Sequence, residues 1–155
     1  CLKLMCGKYK LRGLLIGRKN CKLPKKCDGM VETTDFLSQS ELIESYQKSK
    51  FIFLPNQSDA SPRILTEALC CGIPALVNYN ILGGWKYISE NSGEFFTSEK
   101  DIENGLKKII SKDYQPREYF LSKWGKENSG RVLKDFVQKH FSDKINVSNT
   151  KYLKL

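Results

Sequence analysis

The succession of apolar and amphipathic segments constrains the fold of this chain more than any other feature of its sequence. Short, continuous apolar runs are typical of buried strands, and runs without polar alternation favour a parallel sheet that is covered on both faces. Such runs predict strands at residues 14–16, 51–54 and 74–77. Because helical segments lie between and after them, the pattern indicates βαβ units and a doubly wound parallel sheet.

The first helical segment begins with a capping-box pattern. Ser38 and Glu41 are three residues apart, the spacing at which an N-cap hydroxyl and an N3 carboxylate each accept the other residue's backbone amide. A helix is therefore predicted over residues 39–49. Its apolar face is expected to contain Leu42, Ile43 and Tyr46.

The second helical segment has clear start and stop signals. Ser61 is a candidate N-cap, Pro62 suits the first helical position, and Gly72 suits the left-handed residue that ends many helices. These signals predict a helix over residues 62–71.

The C-terminal third also has helical periodicity. One helix is predicted over residues 101–111, and one or two more over residues 116–140 with a break near residues 128–130. The buried side of this last segment is expected to contain Trp124, Leu133, Phe136 and Val137. A length of 155 residues suits one domain, so we expect a single α/β, Rossmann-like domain at residues 1–141 and a flexible tail at residues 142–155.

The net charge of +9 is distributed unevenly along the chain. Residues 1–30 contain nine Lys or Arg and one acid, residues 31–99 contain four and nine, and residues 100–155 contain thirteen and seven. The basic ends suit a solubilising surface, or contact with a polyanion or a membrane surface. No nucleic-acid-binding motif accompanies them, so nucleic acid is not an expected partner.

Six cysteines raise the question of a metal site. Four residues separate Cys1 from Cys6, five separate Cys21 from Cys27, and the single histidine, His140, is distant in sequence, so the spacing does not match a compact zinc motif. No metal site is expected. Free thiols, with no apolar stretch suited to a membrane helix or a signal peptide, predict a cytoplasmic location.

The residues after the second predicted strand form a pattern suited to an anionic ligand. In open α/β sheets, ligands bind beyond the carboxyl ends of strands, where a helix start offers free amides to a phosphate. Asp59 precedes the helix and Glu67 lies within it, and both carboxylates can accept hydrogen bonds from sugar hydroxyls. Arg63 could contact the phosphate, or form an i, i+4 ion pair with Glu67.

Residues 29–93 resemble the C-terminal domain of the group 1 glycosyltransferases, retaining enzymes of the GT-B type. The resemblance rests on two acids separated by seven residues, Asp59 and Glu67, and on the Glu-Ala-x-x-x-Gly-x-Pro pattern of residues 67–74. Family members normally have Glu at the first acid. Because Asp59 is shorter by one methylene, we expect a closer loop or a different sugar.

The resemblance implies a site for a nucleoside diphosphate sugar. Asp59 would approach the donor sugar and Glu67 would hold the ribose, which makes these two acids the catalytic candidates. The diphosphate would face the residues at the helix start. These binding candidates are Ser61, Pro62, Arg63, Ile64 and Leu65.

Further binding candidates follow from the resemblance. Gly83 and Gly84 match a glycine pair that approaches the phosphate, and a plain glycine turn is the alternative. Family members also neutralise the diphosphate with an Arg and a Lys. Arg18 is the candidate here, and a pair lying upstream of this segment is the alternative. Residues 31–36 correspond to the loop that receives the base.

The implied activity is sugar transfer from a nucleoside diphosphate sugar to an acceptor with retention, without a metal or other cofactor. This chain would be the donor-binding half of a GT-B fold, incomplete at its N-terminus and lacking the N-terminal acceptor-binding domain, so alone it would bind without turnover. The alternatives are a related enzyme such as a 2-epimerase, a non-catalytic nucleotide-sugar-binding or scaffold domain, and a basic polyanion-binding module.

Overall fold

The computed structural model describes residues 1–17 and 22–141, in which parallel strands alternate with helices. The strands are β1 Gly13–Ile16, β2 Val31–Thr34, β3 Ile52–Leu54, β4 Ala75–Asn78 and β5 Gly93–Phe96. The helices are α1 Leu2–Gly7, α2 Gln39–Gln47, α3 Arg63–Cys70, α4 Ile102–Ser111, α5 Pro116–Lys123 and α6 Lys126–Phe141. Every observed strand pair is parallel, as expected for βαβ connections.

The sheet formed by β3, β4 and β5 is covered on both faces, and all four residues of β4 are buried. One face carries the core cluster Leu54, Leu65, Leu69, Ala75, Val77, Ile81, Ile88 and Phe120. The opposite face carries Leu76, Phe96, Ile102 and Leu106, against which the α1 residues Leu4 and Met5 also pack. Helices α3 and α5 thus cover one face and α1 and α4 the other, which confirms the doubly wound, Rossmann-like α/β class.

The five described strands form two sheets, because β1 pairs only with β2 and β3 pairs only with β4. In register, Gly13 lies opposite Val31, and Ile52 lies opposite Ala75. Within residues 1–17 and 22–141, one edge of β1 and one edge of β3 therefore have no strand partner.

The three predicted strands are confirmed as β1, β3 and β4, but β2, β5 and the short helix α1 were not predicted. Residues 31–36 were expected to form a loop, and this expectation is wrong for residues 31–34. Their sequence, Val-Glu-Thr-Thr, has one strongly apolar residue, so it lacks an apolar run. Pairing with β1 orders it as a strand.

The capping box at the start of α2 is confirmed. The Glu41 amide donates to the Ser38 hydroxyl at 3.4 Å, and the Ser38 amide donates to the Glu41 carboxylate at 2.8 Å. The Ser38 hydroxyl also donates to the Glu41 carboxylate at 2.6 Å, and this bond, together with that from the Ser38 amide, holds the pKa of Glu41 below its ordinary value. Of the expected apolar face, Tyr46 is buried at 3% exposure, whereas Ile43 is 39% exposed.

The helix predicted over residues 62–71 is confirmed as α3, but its start differs from the prediction. Pro62 is the N-cap residue, and no side chain of the described residues caps the helix. Ser61 lies one residue before the N-cap, and its amide donates to the carboxylate of Asp59, two residues earlier in the loop, at 3.0 Å. Gly72 adopts a φ of +81°, as expected for the residue that ends a helix.

The predicted break near residues 128–130 is wrong, because the chain turns at Trp124 and Gly125 instead. Gly125 has a φ of +97°, which favours glycine. Asn128, which was expected in the break, lies inside α6. Its side-chain amide donates to the Leu121 carbonyl at 2.8 Å and so caps the C-terminal end of α5.

The expected buried side of residues 116–140 is only partly correct. Trp124 is half-buried and packs against Tyr87, Tyr119 and Phe120. Leu133 and Phe136 are 50% and 54% exposed, so they are not core residues of this chain. The expected tail at residues 142–155 lies outside the described residues.

Candidate functional site

The candidate site lies at the carboxyl end of β3, where residues 55–62, the acidic loop, connect this strand to α3. Asn78, the last residue of β4, is only 5% exposed and holds the start of this loop. The side-chain NH₂ of Asn78 donates to the Pro55 carbonyl at 3.2 Å. Its side-chain oxygen Oδ1 accepts a hydrogen bond from the Asn80 backbone amide at 3.0 Å. The carboxyl ends of two neighbouring parallel strands are thereby joined beside the acidic loop.

The glycine pair at 83 and 84 packs directly against this loop. The Gly83 amide donates to the Asp59 carbonyl at 3.0 Å, and a Cβ at Gly83 would lie 1.9 Å from the Ala60 carbonyl oxygen. Gly84 has a φ of +86°, and a Cβ there would lie 2.6 Å from the Pro62 ring. The structure therefore brings the glycine pair and the acidic loop together. Close backbone contact explains Gly83, and the positive φ with the nearby Pro62 ring explains Gly84. Their contact with a phosphate remains a prediction.

Asp59 and Glu67 differ in their surroundings. Asp59 is half-buried in the loop, where one carboxylate oxygen accepts the Ser61 amide. Glu67 is half-buried on α3, and the Tyr46 hydroxyl approaches its carboxylate at 3.5 Å. Glu67 lies four positions after Arg63, about 6 Å along the helix axis. Both acids thus belong to the segment that follows β3, Asp59 before the start of α3 and Glu67 one turn inside it.

The amides at the start of α3 divide into two groups. The Ser61 amide donates to Asp59, Pro62 has no amide hydrogen, and the Leu65 amide donates to the Pro62 carbonyl at 3.0 Å. In the part of the chain that the structure describes, the amides of Arg63 and Ile64 have no such acceptor. A helix start with unpaired amides has a partial positive charge, so these two amides can bind an anion.

The Arg63 guanidinium is exposed at the same helix start. The alternative i, i+4 ion pair with Glu67 is not observed, and Arg63 forms no ion pair with any carboxylate of the described residues. The Arg63 guanidinium can therefore bind an anion at this helix start. Arg18, the other cationic candidate, lies outside the described residues.

Two residues that contact the candidate site were not among the site residues predicted from the sequence. Asn78 follows an apolar strand, and a polar residue at a carboxyl strand end is a signal that could have identified it. Tyr46 was assigned to the apolar face of its helix, but its hydroxyl lies near the Ile64 carbonyl at 3.4 Å and near Glu67. Burial raises the pKa of Tyr46 well above its ordinary value, and the nearby Glu67 carboxylate adds to the shift. The hydroxyl therefore stays protonated and can donate.

The cysteines do not form a metal cluster in the described ranges. No group of three or more His, Cys, Asp or Glu side chains there is arranged to hold a metal ion. Cys6 and Cys27 are both buried between α1 and the turn at Lys25–Cys27, and burial raises the pKa of Cys6 to about 11. Likewise, no described helix has the length and apolarity to cross a membrane.

A family model supplies the deciding observation. Residues 15–127 match the family described as glycosyl transferases group 1, a match that runs from β1 into the start of α6 and includes the whole candidate site. The chain belongs to this family.

Group 1 glycosyltransferases transfer sugars, so membership implies a transferase with a nucleotide-sugar donor and an acceptor. The parallel sheets and their helices agree with a glycosyltransferase domain of the Rossmann-like α/β class. No curated protein matches the chain closely.

Proposed function

We propose that this chain is the donor-binding half of a retaining glycosyltransferase and that the loop after β3 binds a nucleoside diphosphate sugar. The observation that carries the proposal is the uncapped start of α3, placed between Asp59 and Glu67 in a chain of this family. A diphosphate at this helix start would have one acid on the side of the sugar and the other on the side of the ribose.

We propose fewer diphosphate contacts than the five residues that the sequence suggested at the start of α3. Of these five, Arg63 and Ile64 have a backbone amide that donates to no acceptor in the described residues. The exposed Arg63 side chain would add a full positive charge to the partial charge of the helix start. We propose these two residues as the main diphosphate contacts of α3, with Ser61, Pro62 and Leu65 shaping the loop.

The same charges give a physical role in the transfer step. As the sugar leaves, negative charge develops on the departing diphosphate, and donors already aimed at it stabilise the transition state without reorganising. Because the helix start and Arg63 supply this positive charge, the proposal requires no metal ion and no bound cofactor. Asp59 would orient the donor sugar through its hydroxyls.

We also propose that the complete enzyme has a further strand and an acceptor-binding domain that precede this segment, as in a GT-B fold. The unpaired edges of β1 and β3 support this proposal. In the doubly wound order 3-2-1-4-5-6, β2 and β1 take positions 3 and 2, and β3, β4 and β5 take positions 4, 5 and 6. A strand at position 1 would join the two sheets. Membrane contact through the basic ends and a cytoplasmic location remain proposals.

Calorimetric titration tests the donor site. The chain is titrated with UDP, GDP, ADP and CDP and with their common sugar conjugates in moderate salt, and the best ligand is repeated with Glu67→Ala. We expect base-selective binding that weakens about tenfold or more in the variant, because a carboxylate that accepts ribose hydroxyls is lost. Glu44→Ala, which removes a carboxylate paired with Lys48 on α2, is the matched control and is expected to bind normally.

Two outcomes would contradict the donor-site proposal. Binding that is unchanged by Glu67→Ala and falls steeply with salt would indicate a polyanion-binding module instead. Absence of binding in a folded sample would contradict a donor site in this chain alone. Donor binding without any turnover by the full-length protein would favour the non-catalytic scaffold.

A further inference from the structure

We infer that Tyr46 is a positioning residue for the candidate site: its buried hydroxyl holds the Glu67 carboxylate in the orientation that accepts the ribose hydroxyls. The inference rests on the proposed function, because it assigns a partner to the acid that would hold the ribose. It adds a residue from α2, an element that carries none of the candidate site residues.

The geometry places Tyr46 between two helices. Its ring projects from α2 and is 3% exposed, and its hydroxyl lies 3.4 Å from the Ile64 carbonyl and 3.5 Å from Glu67 Oε2. A hydroxyl has a single hydrogen, so these two long contacts share one donor. The carboxylate keeps its other oxygen, Oε1, for a ligand. Because the Tyr46 ring is buried, its hydroxyl stays in place if the Glu67 side chain rotates. The hydroxyl therefore favours one position of Oε2.

The physical effect is preorganisation. A glutamate on a helix surface has several rotamers, and ordering it upon ligand binding reduces the affinity gained from its hydrogen bonds. A fixed donor next to Oε2 favours one rotamer before the ligand arrives. The contribution of Tyr46 to binding should therefore appear only when the ligand has the ribose hydroxyls that Glu67 accepts.

The experiment compares ribonucleotides with deoxyribonucleotides. Wild type, Tyr46→Phe, Glu67→Gln and the double variant are titrated with the best-binding nucleoside diphosphate and with its 2′-deoxy and 3′-deoxy analogues. Tyr46→Phe keeps the ring and removes only the hydroxyl. We expect it to weaken ribonucleotide binding about three- to tenfold. Its affinity for the deoxy analogue that binds more weakly to wild type should be nearly unchanged. The double variant should bind like Glu67→Gln alone.

A matched control is available in the same chain. The Tyr114 hydroxyl donates to the Glu94 carboxylate at 2.8 Å, on β5 and away from the acidic loop. Tyr114→Phe removes the same kind of contact and should leave nucleotide binding unchanged. Urea unfolding of each variant checks that the ribonucleotide effect is measured on folded protein.

Two other outcomes would contradict the role of Tyr46. In the first, Tyr46→Phe weakens ribo- and deoxyribonucleotide binding equally, or changes neither, while the effect of Glu67→Gln still differs between the two kinds of ligand. Tyr46 then does not position Glu67. If Glu67→Gln is also without effect, or the wild type binds no nucleotide, the ribose contact of the proposed function fails, and the role of Tyr46 fails with it.

Discussion

The Gly83 amide donates a 3.0 Å hydrogen bond to the Asp59 carbonyl, so Gly83 helps to fix the backbone of the acidic loop. The Leu82 amide makes the equivalent bond to the Gln57 carbonyl at 3.0 Å. Two consecutive residues after β4 thus hold alternate carbonyls of the loop after β3. The position of Asp59 therefore depends on a segment more than twenty residues later in the chain.

A side chain at position 83 should displace this loop. We expect Gly83→Ala to lower the free energy of unfolding by about 2 kcal/mol, because its Cβ would lie 1.9 Å from the backbone carbonyl oxygen of Ala60. Urea unfolding measures the change. Gly13→Ala is the control, since its Cβ would lie 3.9 Å from Val31 and should cost less than about 0.5 kcal/mol. Equal stabilities of the two variants would contradict the observed packing.

Asp101 should make stability depend on pH in the acid range. Its carboxylate accepts hydrogen bonds from the amides and hydroxyls of Thr97 and Ser98, which hold its pKa far below its ordinary value. Since the pKa is lowered in the folded state, the stabilisation is complete above the ordinary value of 3.8 and is lost as the pH falls below it.

Asp101→Asn tests this pH dependence. We expect the variant to unfold at lower urea concentration than wild type at pH 7 and the difference to shrink as the pH falls below 3.8. Asp135→Asn, on the exposed surface of α6, should change the urea midpoint little at either pH. A constant difference between Asp101→Asn and wild type across this range would show that the carboxylate charge is not responsible.

The exposed apolar face of α6 predicts a contrast between two leucines. Leu106 of α4 is fully buried, so Leu106→Ala should cost about 2–5 kcal/mol. Leu133 of α6 is 50% exposed, and Leu133→Ala should cost less than about 1 kcal/mol. Urea unfolding of both variants checks this. A comparable cost at Leu133 would mean that something covers the α6 face in solution.

The unpaired edge of β3 should be visible in hydrogen exchange. The Ile52 amide donates to the Pro74 carbonyl at 3.0 Å and is protected by β4. Residues alternate along a strand, so the Phe53 amide faces the other edge, which has no strand partner in the described residues. We expect Phe53 to exchange at least about tenfold faster than Ile52 by NMR. Equal protection of the two amides would indicate that a strand already occupies this edge.

The sequence by itself determined the class of fold and the place of the candidate site. Continuous apolar runs identified β1, β3 and β4, and local signals such as the Ser38–Glu41 capping box identified α2, because these patterns depend on residues that are neighbours in the chain. Asp59 and Glu67 could be recognised for the same reason, since their spacing is a local property. The family match agrees with the recognition made from these residues.

The tertiary structure decided what depends on residues distant in sequence. β2 is a strand because it pairs with β1, and Leu133 is exposed because no described element covers it, although its helical period favoured burial. The close packing of Gly83 and the contact of Tyr46 with Glu67 likewise depend on atoms of other elements. Periodicity predicts which face of an element is apolar, whereas only packing determines what that face or a buried hydroxyl contacts.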